Sequence, residues 1–368
     1  MKPQKIKKVD VHLVSLPIKA KFTDATRTVE TVGYTIVRVT TDQGLEGFGV
    51  TYHEVGGEAT HELIIRNMAP RLIGRDPFDT ELIWQDFFGY LRGVGRKGLM
   101  FCALSAIDIA LWDLKGKIMG LPLYKLFGGP KRVRVYASGG WTNYSDDELV
   151  AEMMDMVSQG YQFIKFKVGV DGGGNISRDV LRVGKVREVV GKDIGLLLDA
   201  NNAWDASTAV RFANRVREYN PVLLEEPVFA DDIPGLARFK RGTDVPLATG
   251  EHEYTKFGVR DLLLAEAADI VQVDGTRAGG FTEMLKCAAL TQAWNVKFAP
   301  HAMENIHIHL VSAYLNAPWL ERLRLFEDIT AAVYLNAPLP KDGYMEMSDE
   351  AGLGLQLNMD FIREHDEP

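Results

Sequence analysis

Leu196-Leu197-Leu198-Asp199 is the first of three short apolar runs that each end in a carboxylate. The second run is Val222-Leu223-Leu224-Glu225, and the third is Pro246-Leu247-Ala248-Thr249-Gly250-Glu251. The three acidic residues follow one another at an equal spacing of 26 positions. Because a carboxylate at the end of a buried strand is costly unless its charge is compensated, the repeat predicts three neighbouring parallel strands whose ends converge on a cation.

Runs of the same kind continue on both sides of these three and alternate with amphipathic helical segments. The predicted strands cover residues 133–139, 163–169, 194–201, 222–228, 246–251, 270–277, 296–301 and 323–327. The predicted helices include residues 146–158, 178–190, 206–219, 282–294 and 306–315. Eight strands with helical crossovers in about 200 residues favour an α/β barrel over an open sheet.

The flanking segments predict a second, smaller domain. Residues 6–15, 34–40 and 44–51 read as strands, and residues 58–126 have helical spacing. Gly128-Gly129-Pro130 is typical of a domain boundary, and the polar segment 19–31 predicts a mobile loop. A last strand is predicted at 352–357, in a tail that returns to the N-terminal domain. We therefore divide the chain into a capping domain at 1–128, a barrel at 129–331 and a tail at 332–368.

The bulk composition narrows the class of protein. The chain has 368 residues, of which 46% are hydrophobic and 25% charged, as in soluble globular proteins. Its net charge of −8 argues against nucleic acid or an anionic membrane as a partner. Cys102 and Cys287 lie in apolar surroundings, which argues against a disulfide framework and fits the reducing cytoplasm. Neither a membrane span nor a signal peptide is predicted.

The strand-end carboxylates also predict the kind of cation. In a barrel, the active groups lie at the C-terminal ends of the strands, where Asp199, Glu225 and Glu251 are expected. Three carboxylates without a thiolate or an imidazole are hard oxygen ligands, which favour Mg²⁺, with Mn²⁺ as an alternative, over zinc. The competing interpretation is that they form salt bridges with Lys or Arg.

Two further pairs at strand ends have the chemistry of acid–base catalysis. Lys165 and Lys167 are two positions apart on an apolar strand, so they share a face and lower each other's pKa, which favours an unprotonated amine. Asp274 lies one strand before His301, and a carboxylate partner fixes the tautomer of an imidazole and raises its basicity. The alternatives are a basic patch that binds an anion without chemistry, and a structural histidine.

The same residues resemble a known family over nearly the full length of the chain. The motif in the capping domain is Ala103-Leu104-Ser105-Ala106-Ile107-Asp108-Ile109-Ala110-Leu111-Trp112-Asp113. The barrel motifs are the Lys-x-Lys pair, Asp199-Ala200-Asn201, Glu225-Glu226-Pro227, Gly250-Glu251, Pro300-His301 and Leu320-Glu321-Arg322. On these motifs the chain resembles the enolase superfamily, in particular its mandelate racemase subgroup. The resemblance implies a (β/α)₇β barrel, which is a modified TIM barrel, with an α+β cap from both chain ends, in a homo-oligomer.

The resemblance also implies a role for each site residue. The ligands of one Mg²⁺ would be Asp199, Glu225 and Glu251, with Glu226 outside the ligand set. Lys167 would be the base on one face of the substrate, and Lys165 would tune it and contact the substrate carboxylate. On the other face, the acid–base group would be His301, oriented by Asp274.

Two more residues receive roles in the same way, and two others do not. Glu321 would donate a hydrogen bond to the substrate carboxylate, if it is protonated. Asn201 would bind the substrate or support the site. His307 and His309, near the start of a predicted helix, are interpreted as packing or rim residues rather than metal ligands.

The site residues do not choose between reactions. A proton next to a carboxylate is weakly acidic because its removal gives a doubly negative ene-diolate, which a racemase reprotonates and a dehydratase converts to a 2-keto-3-deoxy acid. Arg27 and Tyr52 lie in polar segments of the capping domain and are predicted to contact a polyhydroxylated acid. Residues 93–98 and 251–253 also resemble acid-sugar dehydratases, which is the activity we predict. The alternatives are a racemase or epimerase of a 2-hydroxy acid, a sugar-lactone cycloisomerase, and a non-catalytic barrel that binds acids.

Overall fold

The computed structural model describes residues 4–367, so residues 1–3 and 368 of the predicted domains lie outside the described residues. The chain begins with an antiparallel sheet of β1 (Ile6–Thr23), β2 (Thr28–Thr41) and β3 (Glu46–His53). The helices that follow are α1 (Gly57–Leu63), α2 (Ala69–Leu72), α3 (Thr80–Tyr90), α4 (Leu99–Met119) and α5 (Leu123–Phe127), with a π-helical segment at Ile64–Met68.

Helix α4 packs closely on β3 because the strand has glycines where the two elements meet. A Cβ at Gly47 would lie 2.5 Å from the carbonyl oxygen of Ala110, which is closer than atoms can approach. Most of α4 is buried, including Asp108 and Asp113. The sheet and this helix therefore form one apolar core that can hold the loops of the domain over the barrel.

The barrel strands alternate with helices along the chain. The strands are β4 (Arg132–Gly139), β5 (Phe163–Lys167), β6 (Gly195–Asp199), β7 (Leu223–Glu225), β8 (Leu247–Thr249), β9 (Ile270–Val271), β10 (Lys297–Phe298) and β11 (Leu320–Leu323). The helices between them are α6 (Asp146–Ser158), α7 (Ile176–Val190), α8 (Ala206–Val216), α9 (Ile233–Gly242), α10 (Lys256–Leu264), α11 (Gly280–Ala293) and α12 (Glu304–Val311), and a 3₁₀ turn at Arg217–Tyr219 follows α8. Eight strands and seven intervening helices confirm the predicted (β/α)₇β class.

All eight strands run parallel in one hydrogen-bonded ladder, from β10 through β9, β8, β7, β6, β5 and β4 to β11. The interior of the barrel is closed by a buried layer of mostly apolar side chains: Tyr136, Leu197, Leu223, Ala248, Ile270, Ala299 and Trp319. The barrel is thus a packed core, and only the carboxyl ends of the strands are free to form a site.

Helix α4 of the cap docks on the turn that precedes α11. The carboxylate of Asp108 accepts hydrogen bonds from the backbone N–H and the hydroxyl of Thr282, at 2.9 and 2.5 Å. Ser105 Oγ accepts from the N–H of Gly279 at 2.7 Å, and Trp84 donates to the carbonyl of Gly279 at 3.0 Å. These bonds fix the loop between β9 and α11 against the cap.

The C-terminal tail contacts both parts of the molecule. It contains a 3₁₀ turn at Arg324–Phe326, then α13 (Glu327–Val333), β12 (Tyr344–Glu346) and α14 (Met359–Glu364). Strand β12 pairs antiparallel with β4. Glu367 donates its N–H to the carbonyl of Leu13 at 2.7 Å, and Leu353 donates to Asp113 at 2.8 Å. The tail therefore returns to the cap, as predicted, while the boundaries at 128 and 331 stay predictions.

Three elements differ from the prediction. The segment 19–31 is not a loop but the end of the β1–β2 hairpin, with a turn held by Asp24. The last barrel strand is Leu320–Leu323, so Glu321 lies within it rather than before it. Residues 352–357 form isolated bridges and no strand. In the last two cases the pairing partner is remote in sequence, so local patterns did not indicate it. In the hairpin the partners are close in sequence, but the register is irregular between Pro17 and Phe22, which obscures the alternation of a strand.

No helix among residues 4–367 has both the length and the apolar character needed to cross a bilayer. Cys102 lies on α4 and Cys287 on α11, and both are free thiols. The prediction that they form no disulfide framework is therefore confirmed.

The stability of the fold should fall in mild acid because of His309. Burial lowers the pKa of this α12 histidine to about 4, from an ordinary value of 6.5. The native state then keeps the ring neutral, while the unfolded chain takes up a proton as the pH drops below 6.5. We expect a loss of up to about 3 kcal/mol between pH 6.5 and 4 from this group. Denaturant unfolding of wild type and His309→Gln across this range checks it, and an unchanged slope in the variant would contradict it.

Candidate active site

The register of three barrel strands places the predicted acidic and basic residues side by side. Lys167 on β5 is paired in register with Asp199 at the end of β6, and Asp199 is paired with Glu225 at the end of β7. Glu251 follows β8 by two residues, after Gly250, whose φ of 125° no other residue adopts easily. All of these side chains are buried.

The two lysines bind the carboxylates of the first two strands. Lys165 Nζ lies 2.7 Å from both carboxylate oxygens of Glu225, 2.6 Å from Glu321 and 3.5 Å from Asp199. Lys167 Nζ lies 2.5 Å from Asp199 Oδ2. The two lysines therefore form salt bridges with the carboxylates, which was the alternative that the sequence left open. The carboxylates are clustered as well.

The pKa values of both lysines are raised, whereas the sequence predicted that they would be lowered. Burial lowers the pKa of Lys167, Asp199 raises it and Lys165 lowers it, with a net upward shift. The mutual effect of the two ammonium groups is therefore present but outweighed. Burial also lowers the pKa of Lys165, but Glu225 and Glu321 outweigh it. The direction of these pKa shifts depends on the distances of 2.5 to 2.7 Å between the lysine ammonium groups and the carboxylate oxygens, which the sequence could not give.

The third carboxylate faces the opposite wall of the barrel. Glu251 Oε2 lies 3.5 Å from His301 Nε2, and Glu251 Oε1 lies 4.0 Å from both His252 and Arg277. Within the described part of the chain, ligand atoms of Glu226, Glu251 and His252 lie within 4.8 Å of one another. However, His252 Nδ1 is already bonded to Glu226 at 2.7 Å, so this set is a hydrogen-bonded pair beside a carboxylate.

The donor set suits a hard divalent cation. Asp199, Glu225 and Glu251 offer only oxygen atoms, and they are buried at neighbouring strand ends. The amide oxygen of Asn201, two residues beyond Asp199, is buried and has no hydrogen-bond partner. Burial raises the pKa of Glu225 well above its ordinary range, and Asp199 adds to this, which a cation would reverse. Oxygen donors of this kind are those that Mg²⁺ prefers.

His301 forms the predicted pair with Asp274. Its Nδ1 lies 3.0 Å from Asp274 Oδ2, which leaves Nε2 facing Glu251 and the centre of the site. Burial lowers the pKa of His301, but Glu251 and Asp274 outweigh burial and raise it to about 9. Lys167 on β5 and His301 after β10 thus lie on opposite sides of the carboxylates, five strands apart in the ladder.

Glu321 is an acceptor in this arrangement. Burial raises its pKa, but Lys165 and His301 outweigh burial and lower the pKa to about 2. Its Oε2 accepts the N–H of Ala302 at 2.9 Å, which ties β11 to the loop that carries His301. The predicted hydrogen bond from Glu321 to a substrate requires a proton that these neighbours disfavour.

The predicted substrate-binding residues of the cap reach the same region. Arg27, in the hairpin turn, pairs with Glu54 through Nη1 at 2.5 Å and Nη2 at 3.2 Å. Tyr52 at the end of β3 accepts a hydrogen bond from Arg277 at 3.2 Å, and its ring centre lies 6.1 Å from that of His301. The structure therefore brings Arg27 and Tyr52 to the barrel mouth, while their contacts with a substrate stay predictions.

The sequence interpretation missed several residues of the site. Gln272 donates to Glu225 Oε2 at 2.7 Å, and Arg277 donates to the hydroxyls of Tyr52 and Tyr254 at 3.2 and 3.1 Å. Alternation along the strand could have indicated Gln272, since it lies two positions before Asp274 and shares its face. No local signal indicates Arg277, because its partners come from other elements.

His307, interpreted from the sequence as a packing or rim residue, joins the loops that carry Asp274 and His301. The N–H of Gly275 donates to His307 Nε2 at 2.9 Å, so the proton lies on Nδ1, which donates to the carbonyl of Ala302 at 2.8 Å. Gly275 follows Asp274, and Ala302 follows His301. Ala302 and Met303 both have positive φ, 46° and 45°, a strained backbone that needs such support.

We expect His307→Leu to lower kcat by about 10–100-fold with little change in KM, because the Asp274–His301 pair loses its support. Steady-state kinetics at saturating substrate check this. His309→Gln, two positions along the same helix and without a bond to either loop, is the matched control. A kcat within twofold of wild type in His307→Leu would show that the loops keep their places without this ring.

The fold and these strand-end groups define a barrel enzyme, and comparison with known proteins gives its family. Residues 7–128 match the mandelate racemase / muconate lactonizing enzyme N-terminal domain, and residues 148–361 match the enolase C-terminal domain-like family. The chain therefore belongs to the mandelate racemase / muconate lactonizing enzyme family of the enolase superfamily.

Three curated relatives illustrate the range of the family. The chain is 34% identical to L-talarate/galactarate dehydratase of Salmonella typhimurium, over 96% of this chain and 89% of that protein. It is 31% identical to D-galactarolactone cycloisomerase of Agrobacterium fabrum, over 98% of each. It is 32% identical to L-rhamnonate dehydratase of Saccharopolyspora erythraea, over 90% of this chain and 84% of that protein.

Solved structures of homologous proteins have the same fold as this chain, and the two described next contain magnesium. A racemase from Streptomyces coelicolor with bound magnesium superposes with a TM-score of 0.94 at 30% identity, covering 98% of this chain and all of that one. The Salmonella typhimurium L-talarate/galactarate dehydratase with Mg and L-lyxarohydroxamate has a TM-score of 0.93 at 32% identity, covering 100% of this chain and 94% of that one. Homologous structures of this family thus hold magnesium.

Proposed function

We propose that this protein is a Mg²⁺-dependent acid-sugar dehydratase, which removes the proton next to a carboxylate and eliminates the β-hydroxyl to give a 2-keto-3-deoxy acid. The observation that carries the proposal is the placement of Lys167 and His301 on opposite sides of one cluster of buried carboxylates. A substrate over that cluster has an acid–base group on each face of its α-carbon.

Asp199, Glu225 and Glu251 are the proposed ligands of the cation, with Mn²⁺ as a substitute. When bound, the cation supplies Lewis-acid stabilisation of the negative charge that develops on the substrate carboxylate. Lys165 is proposed to contact the same carboxylate, since its ammonium group lies among Glu225, Glu321 and Asp199. Glu321 and Asn201 complete the proposed binding wall, on the β11 and β6 sides.

The proton transfers are assigned to the two facing groups. We assign the first base to Lys167, whose ion pair with Asp199 would be weaker if Asp199 held the cation, or to His301, whose Asp274 partner holds it in one tautomer. In either case His301 gives the departing β-hydroxyl a proton, because Nε2 faces the site. The positions of Lys167 at the end of β5 and of His301 after β10 support both roles.

The cap supports an acid sugar rather than an apolar substrate. Arg27, Tyr52 and Lys97 offer donors and acceptors at the barrel mouth. Two of the compared relatives are dehydratases of sugar acids by name, at 34% and 32% identity. The cycloisomerase at 31% identity supports the second candidate, isomerisation of a sugar lactone through the same proton abstraction. Racemisation or epimerisation of a 2-hydroxy acid is a further alternative.

The test is a screen of sugar acids with the Mg²⁺-loaded protein in D₂O. We expect deuterium incorporation next to the carboxylate of at least one acid, and formation of a 2-keto acid in the same sample. Exchange without keto acid would favour an epimerase, and conversion of a lactone would favour a cycloisomerase. Absence of exchange across the whole panel, with metal bound, would refute the proposal.

We further propose a homo-oligomer in the cytoplasm, as the family resemblance and the two free thiols suggest. Light scattering of the purified protein tests the assembly, and a monomer at micromolar concentration would contradict it.

A further inference from the structure

The inference concerns which acid sugars enter the site, and it rests on the proposed function. The compared relatives do not decide this, because galactarate is a dicarboxylate and rhamnonate a monocarboxylate. The deciding feature is the space around the barrel mouth that would hold the end of the substrate remote from the metal. The charge of that space determines whether a second carboxylate can be accommodated.

Two adjoining cavities form this space. One, of about 410 Å³, lies between the β1–β2 hairpin turn and the loops after β6, β7 and β8. The other, of about 270 Å³, lies beneath β3 and the start of α4. Arg27, His252 and Tyr254 line both cavities, so the two are parts of one region. A six-carbon acid anchored at Glu251 would extend into it.

Arg27 is the first of the cations in this region, and its charge is already compensated. Its guanidinium pairs with Glu54 at 2.5 Å and lies 3.5 Å from Asp24. The side chains of these two carboxylates are only 11% and 5% exposed, whereas that of Arg27 is 55% exposed. A substrate carboxylate that competed with Glu54 for Arg27 would leave the buried Glu54 without this partner, which is costly.

Lys97 is compensated in the same way. Its ammonium group lies 3.2 Å from Glu253, whose side chain is 5% exposed, and 3.6 Å from Asp231. The pair joins the cap to the loops after β7 and β8. Competition for Lys97 would therefore also leave a buried carboxylate unpaired.

Arg277 is the remaining arginine that lines the region, and His252, which lines it too, is bonded to Glu226 at 2.7 Å. Its guanidinium donates to the hydroxyls of Tyr52 and Tyr254, and its side chain is 16% exposed. It lies 4.0 Å from Glu251, at the end of the region next to the proposed metal rather than the remote end. Two of its donors are thus engaged, and its position does not suit the far end of a substrate.

Among the described residues that line or close this region, the arginine and lysine side chains are fewer than the carboxylates, even without the proposed metal ligand Glu251. The cations are Arg27, Lys97 and Arg277, and the carboxylates are Asp24, Glu54, Asp231 and Glu253. Hydroxyl groups can donate to such carboxylates and accept from the cations, whereas a further negative charge would meet net repulsion. We therefore propose that the substrate is a monocarboxylic sugar acid, with a neutral polyhydroxylated end, rather than a dicarboxylic one.

The experiment compares acids that differ only at the remote carbon. Aldonates and aldarates of the same configuration are supplied to the Mg²⁺-loaded enzyme, and kcat/KM is measured from 2-keto acid formation. We expect the aldonate of each pair to be at least about 30-fold better, because like charges juxtaposed in a buried site are strongly unfavourable. Equal or faster turnover of the aldarates would overturn the proposal while leaving the dehydratase function intact.

A substitution in the Arg27–Glu54 ion pair is the second part of the experiment. Glu54→Gln removes one negative charge and frees donors of Arg27, so the aldarate-to-aldonate ratio of kcat/KM should rise about tenfold. Glu58→Gln removes the same charge from the exposed first turn of α1 and should leave the ratio unchanged. An unchanged ratio in Glu54→Gln would contradict the proposed cause. A wild-type preference for aldarates that Arg277→Met reverses would place the second carboxylate on Arg277 instead.

Direct binding separates this proposal from the proposed function. Calorimetry on the Mg²⁺-loaded Lys167→Ala protein gives dissociation constants for each pair of acids without turnover. Tighter binding of the aldonates with no proton exchange in the wild type would uphold the substrate class and reject the dehydratase. Tighter binding of the aldarates would reject the substrate class alone.

Discussion

Lys167→Ala and His301→Asn should each lower turnover by about 10²–10⁴-fold, the usual contribution of a positioned acid or base. Lys167 lies 2.5 Å from Asp199 and His301 lies 3.5 Å from Glu251, on opposite sides of the carboxylate cluster. Neither side chain is a proposed metal ligand. Magnesium affinity, measured by calorimetry, should therefore stay within severalfold of that of the wild type.

The two variants also distinguish the faces of the substrate. The residue that takes the first proton should, when removed, abolish deuterium exchange as well as product formation. If that residue is Lys167, His301→Asn should keep exchange and lose only the later step. Lys297→Ala, at an exposed lysine on β10, is the matched control and should leave kinetics unchanged. Full turnover in either site variant would show that the role assigned to that residue is wrong.

Asp199→Asn should remove both activity and the response to magnesium. Asp199 is the first of the three carboxylates along the ladder, next to Lys167 on one side and Glu225 on the other. Loss of a preorganised charge that stabilises the transition state costs about 3–4 kcal/mol, or 10²–10³-fold, before any loss of metal. We expect turnover to fall at least this far.

Thermal unfolding provides the second readout for Asp199→Asn. Magnesium at 100 times its dissociation constant should stabilise the wild type by about 2.7 kcal/mol, and this stabilisation should disappear in the variant. Asp193→Asn, at an exposed position just before β6, carries the same chemical change and should keep the response. A variant that still gains stability from magnesium would exclude Asp199 as a ligand.

The β1–β2 hairpin shows how the cap meets the barrel. Phe22 stacks on Trp141 after β4, with ring centres 4.6 Å apart, and Thr142 donates to the carbonyl of Thr23 at 2.8 Å. Trp141 in turn lies 5.5 Å from the ammonium group of Lys167. The hairpin is therefore packed against the wall of the site, and Arg27 in its turn is held at the mouth. This explains why a segment that looked like a mobile loop has a fixed place.

The sequence by itself determined the barrel and named most of the residues that we propose for the site. The strands that end in Asp199, Glu225 and Glu251 are short apolar runs between helices, and this pattern is local. Parallel strands bring their carboxyl ends to one edge whatever the details of packing. For the same reason Lys165 and Lys167, two positions apart on one strand, could be placed on one face.

Only the tertiary structure decided the pKa shifts of the site groups and the hydrogen-bond partners that hold them in place. The pKa of Lys167 is raised because Asp199 lies at 2.5 Å, and that distance depends on how two strands pair. His307 and Gln272 act through partners on other elements, which no local pattern encodes. The ion pairs of Arg27 and Lys97 join segments far apart in the chain. Electrostatic energies depend on distance and burial in space, so sequence positions alone could name these groups but not their partners.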